Sequence, residues 1–277
     1  MAYDRPTDLP PPPEPGEAVR SLRVHVHPTR VEPAALAGGV VIVIDALRAS
    51  VTITAALADG ATRVVPVLSV DEALSIRARR ASEGSPHDVR ARRASEGSCP
   101  LLGGERGGVL IPGFDLDNSP QGYTRERVQG RTIIFTTTNG TAALLHARQA
   151  SRILVGSFAN LTAVCDAVAD DVRPVHILCA GTRDEITMDD CLPAGAMTEN
   201  LVARGRLLLS DDSARLCRLA WLGARALPGG IAQAMRESRG GRNLVRLKLG
   251  HEVDFCATID TLGVVPVFDP ARGEITL

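Results

Sequence analysis

The sequence predicts an α/β fold, a layered α/β/α arrangement with a parallel or mixed central sheet. Short apolar, β-branched runs alternate with stretches of helical character along most of the chain. The run VVIVI at 40–44 is apolar at every position, as in a strand buried on both faces. Turn residues separate these runs at short intervals, so the elements are brief and sequential.

Residues 1–21 are dominated by proline and charge (DRPTDLPPPPEPGEA). Such a segment cannot bury enough apolar surface to offset its ordering entropy, which predicts a disordered, Pro-rich tail. Residues 22–277 are read as a single α/β domain. LRVHVH at 22–27 alternates as a half-exposed strand does, with His25 and His27 on one solvated face. SVTITAALADG at 50–60 reads as a helix capped by Ser50 and stopped by Gly60. TRVVPV at 62–67 is a strand, with Pro66 at its end or on an edge. The nonapeptide RARRASEGS occurs twice, at 77–85 and 90–98. It is too polar to bury a core of its own, so 77–98 reads as a duplicated surface insertion. Glycine-rich loops follow at 103–122. Strands are expected at 131–136, 152–156 and 174–179, and helices at 140–149 and 160–170. From 189 to about 237 the pattern is mainly helical, broken at Gly205, Pro228 and Gly229-Gly230. Short strands close the chain at 264–268 and 274–277.

Composition removes several functions. Formal net charge is −1 and aromatic content 3%. A general nucleic-acid binder needs a basic field, and a single-strand binder needs stacking rings. No run approaches the ~20 apolar residues that span a bilayer, and no apolar leader opens the chain. The reading is a cytoplasmic protein without nucleic-acid or membrane partners; a homo-oligomer stays open. The 6 cysteines contain no Cys-x-x-Cys pair, which fits reduced core residues better than a zinc knuckle.

The chemistry concentrates in polar clusters at the ends of apolar runs. RTIIFTTTNGT at 131–141 reads as strand, tight loop and helix start. Thr137, Thr138, Asn139, Gly140 and Thr141 would face an anion with hydroxyls and free N–H groups. Gly140 is expected to supply a backbone conformation barred to other residues. Asp45 ends the 40–44 strand, with Arg48 beside it. In open α/β sheets ligands collect at such ends. Glu105 and Arg106 are bracketed by glycines, and Asn118 and Ser119 sit in a turn able to orient substrate. Asp45 and Glu105 are hard oxygen donors suited to Mg²⁺, while Arg48 and Arg106 suit anionic oxygens. Together these are the components of a metal-assisted phosphoryl-transfer or phosphate-binding site. Cys179 and Arg183 are too close for a phosphocysteine loop. Position 47 is Leu, where aspartyl-phosphate enzymes carry a second Asp. Attack by metal-activated water is the simpler assignment.

The ordered set IDALRASVTITAALADGA, GGERGG, IPGFDLDNSP, TTTNGTAAL, GSFAN, ILCAGT, DDCLPAGA and DFCATID…VVP resembles the 2-phosphosulfolactate phosphatase family, over roughly residues 40–268. The resemblance implies a Mg²⁺-dependent phosphomonoesterase of coenzyme M biosynthesis, acting on a small anionic phosphorylated substrate. It also favours a catalytic role for Asp190 over helix capping alone. The alternative is a non-catalytic anion-binding or regulatory protein on the same fold.

Overall fold

The computed structural model describes residues 20–82, 99–206 and 211–277. The predicted Pro-rich tail, apart from residues 20 and 21, and residues 83–98 of the duplicated segment lie outside them. The order begins β1 (Leu22–His25), β2 (Val40–Ile44), α1 (Ala49–Ala58), β3 (Arg63–Pro66) and α2 (Val70–Ser82). A hairpin of β4 (Leu101–Arg106) and β5 (Val109–Leu110) follows, then the short α3 (Arg125–Val128). Next come β6 (Thr132–Thr136), α4 (Gly140–His146), β7 (Arg152–Val155), α5 (Leu161–Ala169) and β8 (Val175–Cys179). Five helices run in succession: α6 (Met188–Ala203), α7 (Asp212–Ala226), α8 (Gly230–Glu237), α9 (Arg239–Arg246) and α10 (Gly250–Cys256). The hairpin of β9 (Val267–Asp269) and β10 (Glu274–Thr276) ends the chain.

The strands form one mixed sheet in the order β1-β8-β2-β7-β9-β10-β3-β6-β4-β5. β1, β8, β2 and β7 are parallel, as are β3, β6 and β4. The β9–β10 hairpin joins the two blocks through antiparallel pairings on both sides. The blocks therefore run in opposite senses, and in a flat sheet the carboxyl ends of β2 and β6 would lie at opposite edges. Strand twist changes that. At roughly 20–25° per step, the path from β2 to β6 turns the second block by more than about 100°. Asp45, Glu105 and Thr138, at the ends of β2, β4 and β6, line one cleft, which requires the sheet to curl as well as twist.

The core follows the curl. Val41 and Val43 of β2, Ile153 and Val155 of β7, Phe268, Ile275, Val64, Ile133 and Phe135 form one cluster. Ile53, Ala56 and Leu57 of α1 and Leu144 of α4 fill the concave space between them. The opposite face of the first block, through Val40, Ile42 and Ile44, packs under α5 to α8. Leu102 and Ile134 on the second block meet Ala73 of α2. This is a layered α/β fold, and VVIVI is buried at every position because helices cover both of its faces.

Several local expectations change. Ser50 lies inside the first turn of α1, and its hydroxyl accepts the Asp45 N–H at 2.8 Å. Gly103 and Gly104 belong to a strand, not a loop. A Cβ on Gly104 would come within 2.0 Å of the Thr136 carbonyl oxygen, so glycine there reflects close strand packing. α9 and α10 lie in a stretch for which the sequence reading assigned no element. His25 is not on a solvated face: it stacks on His176, with Nε2 2.9 Å from Nδ1. Burial lowers both imidazoles to about 4. His27 is buried, with Nδ1 accepting the Thr29 N–H. The cysteines are free, and all but Cys99 are buried.

Candidate active site

A cleft of about 480 Å³ opens where β2, β4 and β6 end. Asp45 follows the last residue of β2, is 9% exposed, and lines this cleft. Its backbone is fixed by reciprocal bonds with Ser50: Asp45 N–H to the Ser50 hydroxyl, and Ser50 N–H to the Asp45 carbonyl at 2.9 Å. Burial, then the negative charges of Glu105 and Asp189, push the Asp45 carboxyl up to about 7. The Gly140 N–H bonds it in opposition to that shift. Gly140 is not among the positive-φ glycines. It is glycine for a different reason: a Cβ would sit 2.7 Å from Asp45 Oδ2 and 2.9 Å from the Ala49 Cβ.

Glu105 closes β4 and faces the same cleft. One oxygen accepts both the Thr138 N–H and the Thr138 hydroxyl, each at 2.9 Å. The other accepts the Gly108 N–H at 2.7 Å. Thr137 and Thr141 are buried and bond one another across the turn, with the Thr141 N–H 3.3 Å from the Thr137 hydroxyl. The donors of the 137–141 loop thus largely build the acidic half of the site. Thr138 and Asn139 are its members that line the cleft.

Arg48 is 1% exposed and lines the cleft. It pairs with buried Glu252 of α10 and donates to the Gly108 carbonyl at 2.9 Å. Arg106 turns away, donating to the Thr136 hydroxyl at 3.0 Å and to the carbonyls of Glu105 and Leu68. Asn118 is 3% exposed and lines the cleft, and its Oδ1 has no hydrogen-bond partner. Ser119 instead opens a turn, its N–H bonded to Asp117. Asp190 is saturated: it accepts the Ala46 and Gly181 N–H groups, both at 2.8 Å, and the Thr187 hydroxyl at 3.0 Å. It clamps the ends of β2 and β8 together, and burial raises its carboxyl well above the usual range. Asp189, its neighbour, is 4% exposed and leaves Oδ1 unpartnered. Burial raises that carboxyl too, against bonds from Ser238 and Gly240.

A further, basic part of the lining was missed by sequence reasoning. It comprises Arg183, Arg239, Arg242, Asn243 and Arg246, with Glu252 behind Arg48. The spacing of 239, 242 and 246 after Ser238, which caps α9 through the Gly241 N–H, was the available signal. Glu252 carried none, because its partner lies 204 residues away.

The family model for 2-phosphosulpholactate phosphatase matches residues 25–270. Curated relatives named "Probable 2-phosphosulfolactate phosphatase" include one from Symbiobacterium thermophilum, 41% identical over 242 residues, covering 87% of this chain and 95% of the relative. One from Caldanaerobacter subterraneus subsp. tengcongensis is 36% identical, covering 82% of this chain and 86% of its own. Another, from Deinococcus radiodurans, is 37% identical, covering 83% and 88%. A match over nearly all of the folded chain, with relatives of this identity and coverage, places the protein in the 2-phosphosulpholactate phosphatase family.

Proposed function

We propose that the chain hydrolyses 2-phosphosulfolactate to sulfolactate and inorganic phosphate, using Mg²⁺. The carrying observation is the cleft itself, which is lined by the buried carboxylates of Asp45 and Glu105 together with arginines. The acidic part of the lining fits a hard cation. Burial first, and then the charges of Glu105 and Asp189, raise Asp45, and the oxygens Asn118 Oδ1 and Asp189 Oδ1 are buried without partners. Oxygen donors of this kind suit Mg²⁺. Among the described residues no three His, Cys, Asp or Glu side chains converge on one metal position, so Asp45 would hold the ion with Glu105 or Asn118 from the cleft lining and water in the remaining positions. When bound, the ion would offset phosphoryl charge and lower the pKa of a coordinated water.

The remaining chemistry belongs to the chain. Arg48, held by Glu252 and the Gly108 carbonyl, presents a fixed cation to phosphoryl oxygens. Its preorganisation avoids reorienting a dipole during reaction. Glu105 is held by Thr138 and Gly108, and so ties the hairpin turn to the β6–α4 loop. The P–O bond breaks, the ester oxygen leaves as the alcohol of sulfolactate, and water supplies the oxygen gained by phosphate. This reading also carries cytoplasmic location and a role in coenzyme M biosynthesis. Among the described residues no helix is long and apolar enough to cross a membrane. The test is phosphate release from 2-phosphosulfolactate, with Mg²⁺ and with excess chelator. Turnover that requires added Mg²⁺ is expected; binding without turnover in either condition would favour a non-catalytic anion binder.

A further inference from the structure

Glu105 and Asn118 both line the cleft beside Asp45, but their oxygens are in opposite states. Glu105 Oε1 accepts the Thr138 N–H and hydroxyl, and Oε2 accepts the Gly108 N–H. Most of the about four lone-pair sites of that carboxylate are therefore taken by the fold. Asn118 Oδ1 is buried, and no hydrogen bond reaches it among the described residues. An unpaired buried acceptor is costly, and it persists where something outside the chain supplies the partner.

The backbone that carries Asn118 is fixed at three successive carbonyl groups by three different parts of the fold. The Gly104 N–H of β4 bonds the Leu116 carbonyl at 3.1 Å. The hydroxyl of buried Tyr123 bonds the Asp117 carbonyl at 2.7 Å. The hydroxyl of Thr52, a fully buried residue of α1, bonds the Asn118 carbonyl at 3.0 Å. Thr52 is the unusual partner. A threonine within a helix commonly donates its hydroxyl to the carbonyl one turn back. Thr54 of the same helix does so, to Ser50 at 2.7 Å. Thr52 instead reaches a residue 66 positions along the chain. Ser50 and Thr52 thus tie Asp45 and Asn118 to the same stretch of α1.

We infer that Thr52 is a positioning residue, which sets Asn118 Oδ1 as the oxygen offered to the cation beside Asp45, ahead of Glu105. The inference rests on the divalent-cation reading above. An amide oxygen suits a hard cation, and it adds no further charge to the crowded carboxylates. Thr52 touches neither cation nor substrate; it acts through the Asn118 backbone. Outer partners of this kind tune metal affinity by orienting the ligand.

Mn²⁺ probes the substrate-free protein, its binding read from loss of the free-ion electron paramagnetic resonance signal. Thr52→Val keeps the side-chain shape without the hydroxyl, and should weaken Mn²⁺ binding about tenfold. Thr52→Ser keeps the hydroxyl and should bind within about threefold of wild type. Asn118→Ala keeps the carbonyl that Thr52 holds but loses Oδ1, and should weaken binding by at least about tenfold. Adding Thr52→Val to Asn118→Ala should then change Mn²⁺ affinity by less than about twofold, because the two act as one unit. Urea unfolding should still register the lost hydroxyl in both backgrounds. An equal loss of affinity in both backgrounds would show that Thr52 only packs the fold, and would overturn the inference. Unchanged binding in Thr52→Val or in Asn118→Ala would overturn it as well, with the cation reading left standing. A wild type that binds no Mn²⁺ would reject the cation reading and the inference together.

Discussion

At the residue scale the site is a problem of buried charge. Asp45, with its carboxyl pushed up to about 7, is the sharpest case. Its folded pKa lies above the unfolded value of 3.8, so the folded chain without metal holds the proton more tightly. The stability this contributes is full below about pH 4 and is lost as pH rises through about 7. Asp45→Asn mimics the protonated form. Without metal, the variant should match wild type near pH 4 and exceed it by about 2–4 kcal/mol at pH 8, at about 1.4 kcal/mol per pKa unit. Urea unfolding at the two pH values measures this, and equal stability at pH 8 would contradict it. The same variant should lose Mg²⁺-stimulated phosphate release. Gly140→Ala tests the neighbouring contact. With 2.7 Å to Asp45 Oδ2, the new methyl group forces a shift of the loop. Stability should fall by about 1–3 kcal/mol, as for overpacking, and activity should fall more than thermal stability suggests.

At the element scale, distant helices and strands are tied by single polar contacts. Glu252 joins α10 to the start of α1 through Arg48, both side chains at 3% exposure or less. Removing one partner of a buried pair costs about 3–5 kcal/mol, because the other charge stays buried. Glu252→Ala should show that loss in denaturant unfolding. The double change Arg48→Met with Glu252→Leu should recover much of the stability and none of the activity. Recovered activity would remove Arg48 from catalysis. The β1–β8 edge gives a second test. His25 and His176 have folded values lowered to about 4 against 6.5 for an ordinary imidazole, mainly by burial. Stability from keeping them neutral is complete above about pH 6.5 and is lost as pH falls towards 4. Exchanging His25 for Phe should flatten the fall in unfolding free energy between pH 6.5 and 4.5, by about 2 kcal/mol. An unchanged slope would show that the pair does not govern acid stability.

At the scale of the whole molecule, the duplicated nonapeptide is the feature least coupled to the site. Deleting residues 77–89 joins Ile76 directly to the second copy, RARRASEGS at 90–98. The incoming Arg then takes the place of Arg77, which donates to Asp115 at 3.1 Å and to the Gly113 carbonyl at 3.2 Å. The shortened chain should therefore keep α2, its cooperative unfolding and its catalytic rate. Halving a loop changes closure free energy by only about 0.6 kcal/mol. A broad unfolding transition in the deletion variant would show that the longer segment packs into the fold.

The sequence by itself determined the layered class, because the apolar runs and helix-forming stretches are local patterns with their own periods. It also pointed to Asp45, Glu105, Asn118 and the 137–141 loop, because polar residues at strand ends stand out against apolar runs. Tertiary structure decided what each one touches. Gly140 looked like a residue chosen for backbone freedom, and it is one chosen for the nearness of Asp45. Asp190 looked like a reacting group, and the ends of β2 and β8 consume its oxygens. Glu252 and the arginines of α9 were silent because their meaning lies in partners far along the chain. Convergence of two oppositely running strand blocks depends on twist summed over the sheet, a property that no local segment contains.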